Sequence, residues 1–427
     1  MNSRFKIKVE DVEQTQQKYL KWAQSFSTCA FFNSNNYPDY PYSKFEAILA
    51  VGVKEEIKPK DQSWIALQKK LNECPNWWFG YLGYDLKNEI EHLSSKNSDI
   101  IGFDDMYFFQ PEYILQFHKD EIEVLAQDNL TREEFESRIE EYQTTIKSKS
   151  IELQAKVTKN QYLEKLNSIK EHIRKGDIYE VNFCQEFYSE NATIDPVQSY
   201  WDLNKISKSP FSSFLKIKDK FLLSSTPERF LKRTGNKIIS QPIKGTAKRG
   251  KNKREDQEIK KNLQNSLKDT TENIMIVDLV RNDLSRTSIP GSVKVEELHK
   301  LYTFKQVHQL ISTVSSQVKE QTHSIEIIKN AFPMGSMTGA PKVKAMEIIE
   351  KYESTKRGIF SGALGYFSPD GNFDFNVVIR SIMYNKSTKT LSIQVGGAIT
   401  HDSDPELEYE ECLLKAKAMI EVLSKQK

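Results

Sequence analysis

Several acidic residues stand where an exposed surface gives them no reason to be. Glu228 follows Ser225-Thr226-Pro227, a turn after an apolar run. Glu272 precedes Asn273-Ile274-Met275-Ile276-Val277, a stretch too apolar to be a solvated helix face throughout. Glu408 and Glu411 are three apart, so on a helix they share a face, with Lys415 one turn further on. Carboxylates from two helices, with water and an anionic ligand, form the oxygen set that Mg²⁺ accepts. A solvated acidic face reads equally well for Glu408 and Glu411 alone. Lys244 lies between an apolar residue and a glycine in Gln241-Pro242-Ile243-Lys244-Gly245-Thr246. Exposed, it is ordinary; buried, desolvation or a nearby cation would lower its pKa from about 10.4 and free the amine as a nucleophile.

The run Pro333-Met334-Gly335-Ser336-Met337-Thr338-Gly339-Ala340-Pro341-Lys342 joins two glycines and two hydroxyls to a helix start. Helix N-termini present unpaired N–H groups and a positive dipole end, so such a loop suits an anion. It is not a phosphate-binding Walker loop, because no Lys-Ser or Lys-Thr follows the second glycine. A plain tight turn would have the same composition.

These residues need elements to position them. Residues 45–53 and 107–117 read as strands, with an aromatic cluster at Trp77-Trp78-Phe79-Gly80-Tyr81. The charged stretch 118–160 reads as a helical hinge. Tyr162, Leu166, Ile169 and Ile173 recur at helical spacing and stop before Gly176, a C-cap. Strands are expected at 178–187, 212–217 and 221–225, one long helix across 256–284, and apolar–polar alternation over 301–318. Runs 359–367 and 373–384 flank Ser368-Pro369-Asp370-Gly371, which has hairpin turn chemistry. Another strand covers 391–399, and Asp404-Pro405 offers an N-cap and N1 proline for a closing helix. Strand groups and long helices without strict alternation argue for an α+β fold. The expected organisation is an amino-terminal region, 1–150, contributing to one composite fold with a catalytic region, 151–427.

The chain has 427 residues, 38% hydrophobic and 28% charged, enough for a sizeable core. A net charge of +2 leaves no footprint for nucleic acid, and acids at 255, 256 and 258 largely cancel the basic run 248–254. There is no apolar signal region at the amino terminus and no run long enough to span a membrane. Four scattered cysteines without metal or disulfide spacing fit a reducing cytoplasm.

Taken in order, the motifs over roughly 160–425 resemble the chorismate-utilising enzymes, a family that includes anthranilate, aminodeoxychorismate, isochorismate and salicylate synthases. The matching segments are Gly176-Asp177-Ile178-Tyr179-Glu180-Val181-Asn182, Ser225-Thr226-Pro227-Glu228-Arg229-Phe230, Pro242-Ile243-Lys244-Gly245-Thr246 and Val277-Asp278-Leu279-Val280-Arg281-Asn282-Asp283-Leu284. The loop 335–342, Gly362-Ala363-Leu364-Gly365-Tyr366 and the segment 402–415 continue the series.

The resemblance implies two mostly antiparallel sheets packed face to face and covered by helices. It implies Glu272 and Glu411 as Mg²⁺ ligands, with Glu408 behind them through water. His308, Ser336, Thr338 and Arg380 match substrate-site positions, Gly396, Gly397 and Ala398 would offer backbone amides to a carboxylate, and Lys415 lies beside them. Anthranilate synthases carry a small residue at the position of Lys244, whereas aminodeoxychorismate synthases carry lysine. In that branch the lysine adds at ring C2, and Glu228 matches the acid that protonates the departing C4 hydroxyl. The implied activity is amino transfer from ammonia to chorismate, feeding p-aminobenzoate and folate synthesis, with a separate glutamine amidotransferase supplying the ammonia. An anthranilate synthase component I and a non-catalytic chorismate-binding paralogue are the alternative readings. The isochorismate branch places lysine where this chain has Glu180. Phe360 replaces a tyrosine usual in anthranilate synthases, and residues 30–36 differ from the Leu-Glu-Ser element of tryptophan-regulated relatives.

Overall fold

The structure, a computed structural model, describes residues 3–37, 45–140, 149–305 and 307–425. Among these residues the strands form one 12-stranded and one 10-stranded sheet. Every pairing between named strands is antiparallel. Strands of the first sheet are buried on both faces. In Thr28–Asn33 and Ala47–Val51, Cys29, Phe31, Leu49 and Val51 enter one core, while Ala30, Ile48 and Ala50 enter the other. Side chains alternate faces with period two, so double burial requires the near-continuous apolar runs seen in the sequence.

One core packs the first sheet against helices, among them Lys159–Arg174, Pro196–Ser207 and Pro405–Ser424. The other core joins the two sheets, through residues such as Leu215, Leu222 and Met383 on one side and Phe79, Phe108 and Phe375 on the other. It also takes in Ile276 and Val280 of the helix Leu267–Ser285. This is the α+β arrangement of two packed sheets with helices outside. Residues before 150 supply strands to both sheets: Thr28–Asn33 lies between Ala47–Val51 and Phe211–Ile217, and Trp78–Leu82 pairs with Ala363–Phe367.

The helix Lys159–Arg174 buries Tyr162, Leu166 and Ile169, and Gly176 follows at φ +81°. The hairpin at Gly371 (φ +74°) and the Asp404 cap, which accepts from the amides of Glu406 and Leu407, also form as expected. Four expectations change. Within 118–160, Glu121–Ala126 is a strand, because Ile122, Val124 and Ala126 alternate into the core. Its acids pair with bases across the strands: Glu121 lies 2.6 Å from Lys6, and Glu123 lies 2.6 Å from Arg4. Helix follows at Arg132–Glu140, while residues 141–148 lie outside the described residues. The long helix expected over 256–284 is two, Lys253–Gln264 and Leu267–Ser285, because Ser266 caps the second by accepting from the amide of Asp269. Residues 107–117 and 373–384 each divide between sheets, as Met106–Gln110 with Tyr113–Phe117 and Phe373–Val377 with Ser381–Asn385. The alternation over 301–318 belongs to a hairpin of Lys294–Thr303 and Val307–Gln317.

Candidate active site

A cavity of about 1230 Å³ opens where the two sheets meet the helices Leu267–Ser285 and Pro405–Ser424. Glu228, Lys244, Glu272, Ser336, Arg380, Gly396, Ala398, Glu411 and Lys415 all line it.

Lys244 enters by way of a β-bulge. Strand Ile243–Lys248 pairs Ile243 with Ile311 and Thr246 with Gln309, which leaves one extra residue on the Lys244 side. Gly245 takes φ +90°, the conformation glycine accepts without strain. The Lys244 ammonium donates to Glu180 Oε1 at 2.6 Å, and its side chain is 10% exposed. Burial pulls its pKa down, but the carboxylate of Glu180, joined by Glu272 and Glu228 once these ionise, outweighs burial and holds it above the usual lysine value. The expectation of a lowered pKa is therefore corrected: the lysine is buried among acids, and at rest it is an ammonium.

Glu228 sits in the turn after Lys220–Thr226, its carbonyl accepting from the amide of Val377 at 3.0 Å. Burial pushes its carboxyl up to about 7, opposed by a 2.5 Å hydrogen bond donated by Ser336 and by the charge of Lys244. Glu272 is also pushed up to about 7, by burial, with Lys244 opposing.

The remaining acids converge above Gly397. A Cβ there would lie 3.2 Å from Glu408 Oε2, 3.7 Å from Glu411 Oε1 and 3.7 Å from Lys415 Nζ, so the glycine lets these three side-chain ends approach the strand closely. Lys415 bonds Glu411 at 2.6 Å and the Gly396 carbonyl at 2.8 Å, and its charge holds the Glu411 carboxyl down at about 2. Lys268 bridges Glu408 at 3.0 Å and Glu272 at 4.0 Å, while Ser403 also donates to Glu408. Among the described residues no three Cys, His, Asp or Glu side chains are gathered tightly enough to hold a metal unaided. The donor set nevertheless fits Mg²⁺, which commonly takes one or two carboxylates and completes its shell with water and substrate oxygens. Glu272 Oε1 is buried without a hydrogen-bond partner, and Glu408 and Glu411 both approach Gly397.

Arg380 falls between Phe373–Val377 and Ser381–Asn385, where the chain crosses from one sheet to the other, and takes φ +53°. Its guanidinium lines the cavity, and no hydrogen bond from it to a described residue is formed. Strand Thr390–Ile399 outruns its partner at Ile393, so residues 394–399 have one edge uncovered by that strand. Ladder geometry turns alternate amides to that edge.

Four expected residues stand outside the lining: Gly397 and Glu408, which face each other beside it, and His308 and Thr338. His308 is fully buried, one ring nitrogen 2.8 Å from Asp256 and the other 3.1 Å from Thr303. Thr338 is buried and donates to the carbonyls of Met334 and Gly335. Conversely, Glu180 and Lys268 belong to the charge cluster. Lys268 was detectable as the residue one turn before Glu272 on the same helix face. Glu180 carried no such local signal.

The chorismate binding enzyme family matches residues 14–421, and this chain belongs to it. It is 33% identical to aminodeoxychorismate synthase component 1 of Escherichia coli, over 95% of this chain and 94% of that protein. It is 34% identical to anthranilate synthase component 1 of Saccharolobus solfataricus, over 80% of this chain and 79% of that one. The crystal structure of anthranilate synthase component I from Streptococcus pneumoniae superposes with a TM-score of 0.77 at 25% identity, covering 90% of this chain and 93% of that chain. No helix among the described residues is long and apolar enough to cross a membrane.

Proposed function

We propose that the chain is the chorismate-aminating subunit of an aminodeoxychorismate synthase, converting chorismate and ammonia to 4-amino-4-deoxychorismate and water for p-aminobenzoate and folate synthesis. The observation that carries this reading is the bulge that turns Lys244 into the same cavity as Glu228. Relatives of both names are about equally similar, so overall identity does not choose between the branches. A buried amine is what separates them chemically.

Lys244 gives its proton to Glu180, 2.6 Å away, and the free amine bonds to ring C2 as both ring double bonds shift, C1=C2 to C1=C6 and C5=C6 to C4=C5, and the C4–O bond breaks. Glu228 protonates the departing hydroxyl, and burial keeps it a neutral acid up to about pH 7. Ammonia then bonds to C4 as both double bonds shift back and the C2–N bond breaks; the new C4 nitrogen returns a proton to Glu228, and the released lysine recovers its own from Glu180. Arg380 and the uncovered edge at Gly396–Ala398, with Gly397 between, hold substrate carboxylate, and Ser336 orients Glu228. Glu272 and Glu411 would hold Mg²⁺, with Glu408 behind them through water; bound there it supplies positive charge to a substrate carboxylate.

We read the ammonia as coming from a separate glutamine amidotransferase; burial pushes the thiols of Cys29 and Cys412 up to about 12 and about 11 and raises that of Cys184 as well, away from a reactive thiolate. Four free cysteines suit a cytoplasmic protein. The test is mass spectrometry of the product formed from chorismate, Mg²⁺ and ammonium by purified protein. Aminodeoxychorismate is expected; fluorescent anthranilate appearing without an added lyase would transfer the chain to the other branch.

A further inference from the structure

Lys244 and Glu228 reach the cavity from separate elements. Glu180, the partner of Lys244, is on strand Glu180–Ser189 of the first sheet, and Ser336, the partner of Glu228, is on the loop before Lys342–Tyr352. The far end of that loop already pairs with the strand, Ala340 with Glu180 and Gly339 with Val181, and the Asn182 amide donates to the Thr338 carbonyl at 2.7 Å; Ser336 and Met337 lie just beyond this pairing. We propose that Arg357, together with Glu353, is the positioning pair that sets the separation of Glu228 from Lys244.

Arg357 is 3% exposed, and neither it nor Glu353 lines the cavity. Its Nη1 donates to the carbonyl of Met337 at 2.6 Å, one residue from Ser336. Its Nη2 donates to the carbonyl of Asn182 at 2.8 Å, two residues from Glu180. Nε and Nη2 also meet the Glu353 carboxylate at 2.9 and 2.6 Å, and Nη1 reaches Ser361 at 3.4 Å. Each of the five N–H groups a guanidinium carries thus has an acceptor. Glu353 Oε1 accepts in turn from the amide of Cys184 at 2.8 Å, gripping the strand a second time. The guanidinium lies 4.6 Å over the Tyr84 ring, which blocks withdrawal in that direction. One planar group therefore spans both supports, and lysine, with three donors on a flexible stem, cannot reproduce the fork.

This rests on the proposed reaction only in taking Glu228 and Lys244 as the reacting pair. The test uses the full chain, follows loss of chorismate with ammonium and Mg²⁺, and compares Arg357→Lys and Glu353→Gln with the parent from pH 5 to 9. Arg357→Lys should lower kcat about 100-fold, the loss expected from a displacement on the order of 1 Å. Its chorismate KM should stay within about three-fold and its pH–rate profile should shift. Glu353→Gln leaves the bonds to Met337 and Asn182 in place and should lower kcat about ten-fold. It decides the matter if Arg357→Lys does not fold. Folded variants with parental kcat and pH profile, and merely a lower Tm, would overturn the proposal. Lys244→Ala run in parallel separates the two ideas, since parental turnover in that variant defeats the reaction while leaving the clamp to its own readout.

Discussion

At the scale of single residues, the site stores two groups in unusual protonation states. Lys244 is kept charged by the acids around it, and Glu228 is kept neutral by burial. Lys244→Ala should abolish aminodeoxychorismate formation while chorismate still binds, as read by product analysis beside equilibrium binding. An unchanged product would remove the covalent step. For Glu228 the sign of the pH effect is definite. A carboxyl raised from 4.5 to about 7 contributes fully to stability below the lower value, and that contribution is lost as pH rises through about 7. Glu228→Gln should therefore melt higher than the parent at pH 8, by on the order of 3 kcal/mol, and alike at pH 4.5. It should also be inactive. Parental activity should itself decline above about pH 7 as the acid ionises. Glu272→Ala and Glu411→Ala should each abolish Mg²⁺-dependent turnover, and full activity in EDTA would refute the metal assignment. Glu228, Lys244 and Glu272 could be singled out from sequence because apolar neighbours made their polarity conspicuous. Arg357 has no such signal, since the carbonyls it bonds lie 20 and 175 positions away, where no local pattern reaches.

At the scale of elements, two adjacent glycines in Thr390–Ile399 do different work. A Cβ at Gly396 would meet the Phe183 carbonyl at 2.3 Å and the Cys184 sulfur at 2.5 Å, so Gly396→Ala must push two paired strands apart. A loss of about 3 kcal/mol is expected by denaturant titration, at the upper end for overpacking because the obstacle includes backbone. At Gly397 the nearest atoms are the side-chain ends of Glu408, Glu411 and Lys415. Gly397→Ala should fold normally but raise the Mg²⁺ concentration for half-maximal rate; an unaltered requirement would place the metal elsewhere. The strand Glu121–Ala126 carries little local signal because Glu121 and Glu123 interrupt its apolar run, and their basic partners Lys6 and Arg4 lie more than 100 residues earlier. The break at Ser266 was in fact signalled: a serine followed three residues later by an aspartate is N-cap chemistry, but the flanking helical periodicity outweighed it.

At the scale of the molecule, the cavity-lining segments share sheets with the first third of the chain. Phe211–Ile217 would lose the neighbour that flanks it on one edge, and Ala363–Phe367 would lose Trp78–Leu82. Tyr84, which lies over Arg357, also belongs to that third, as does Asp85, which accepts from the Gly358 amide at 2.9 Å. A fragment of residues 151–427 should therefore be unfolded or aggregated by circular dichroism and light scattering. A cooperative melt with chorismate binding would show the opposite. Sequence could anticipate an α+β fold and a shared core, but not which early strand joins which sheet, because pairing partners are set by long-range packing.

The same interleaving bears on how the protein comes into being. Thr28–Asn33 leaves the ribosome long before Phe211–Ile217, and Glu180–Ser189 waits some 200 residues for Thr390–Ile399. Contacts of such sequence separation fold slowly and leave apolar strand edges open meanwhile. The cavity closes only when the final helix arrives with Glu411 and Lys415. Prematurely terminated chains thus carry exposed edges and no activity, which makes them substrates for chaperones and proteases rather than competitors for chorismate.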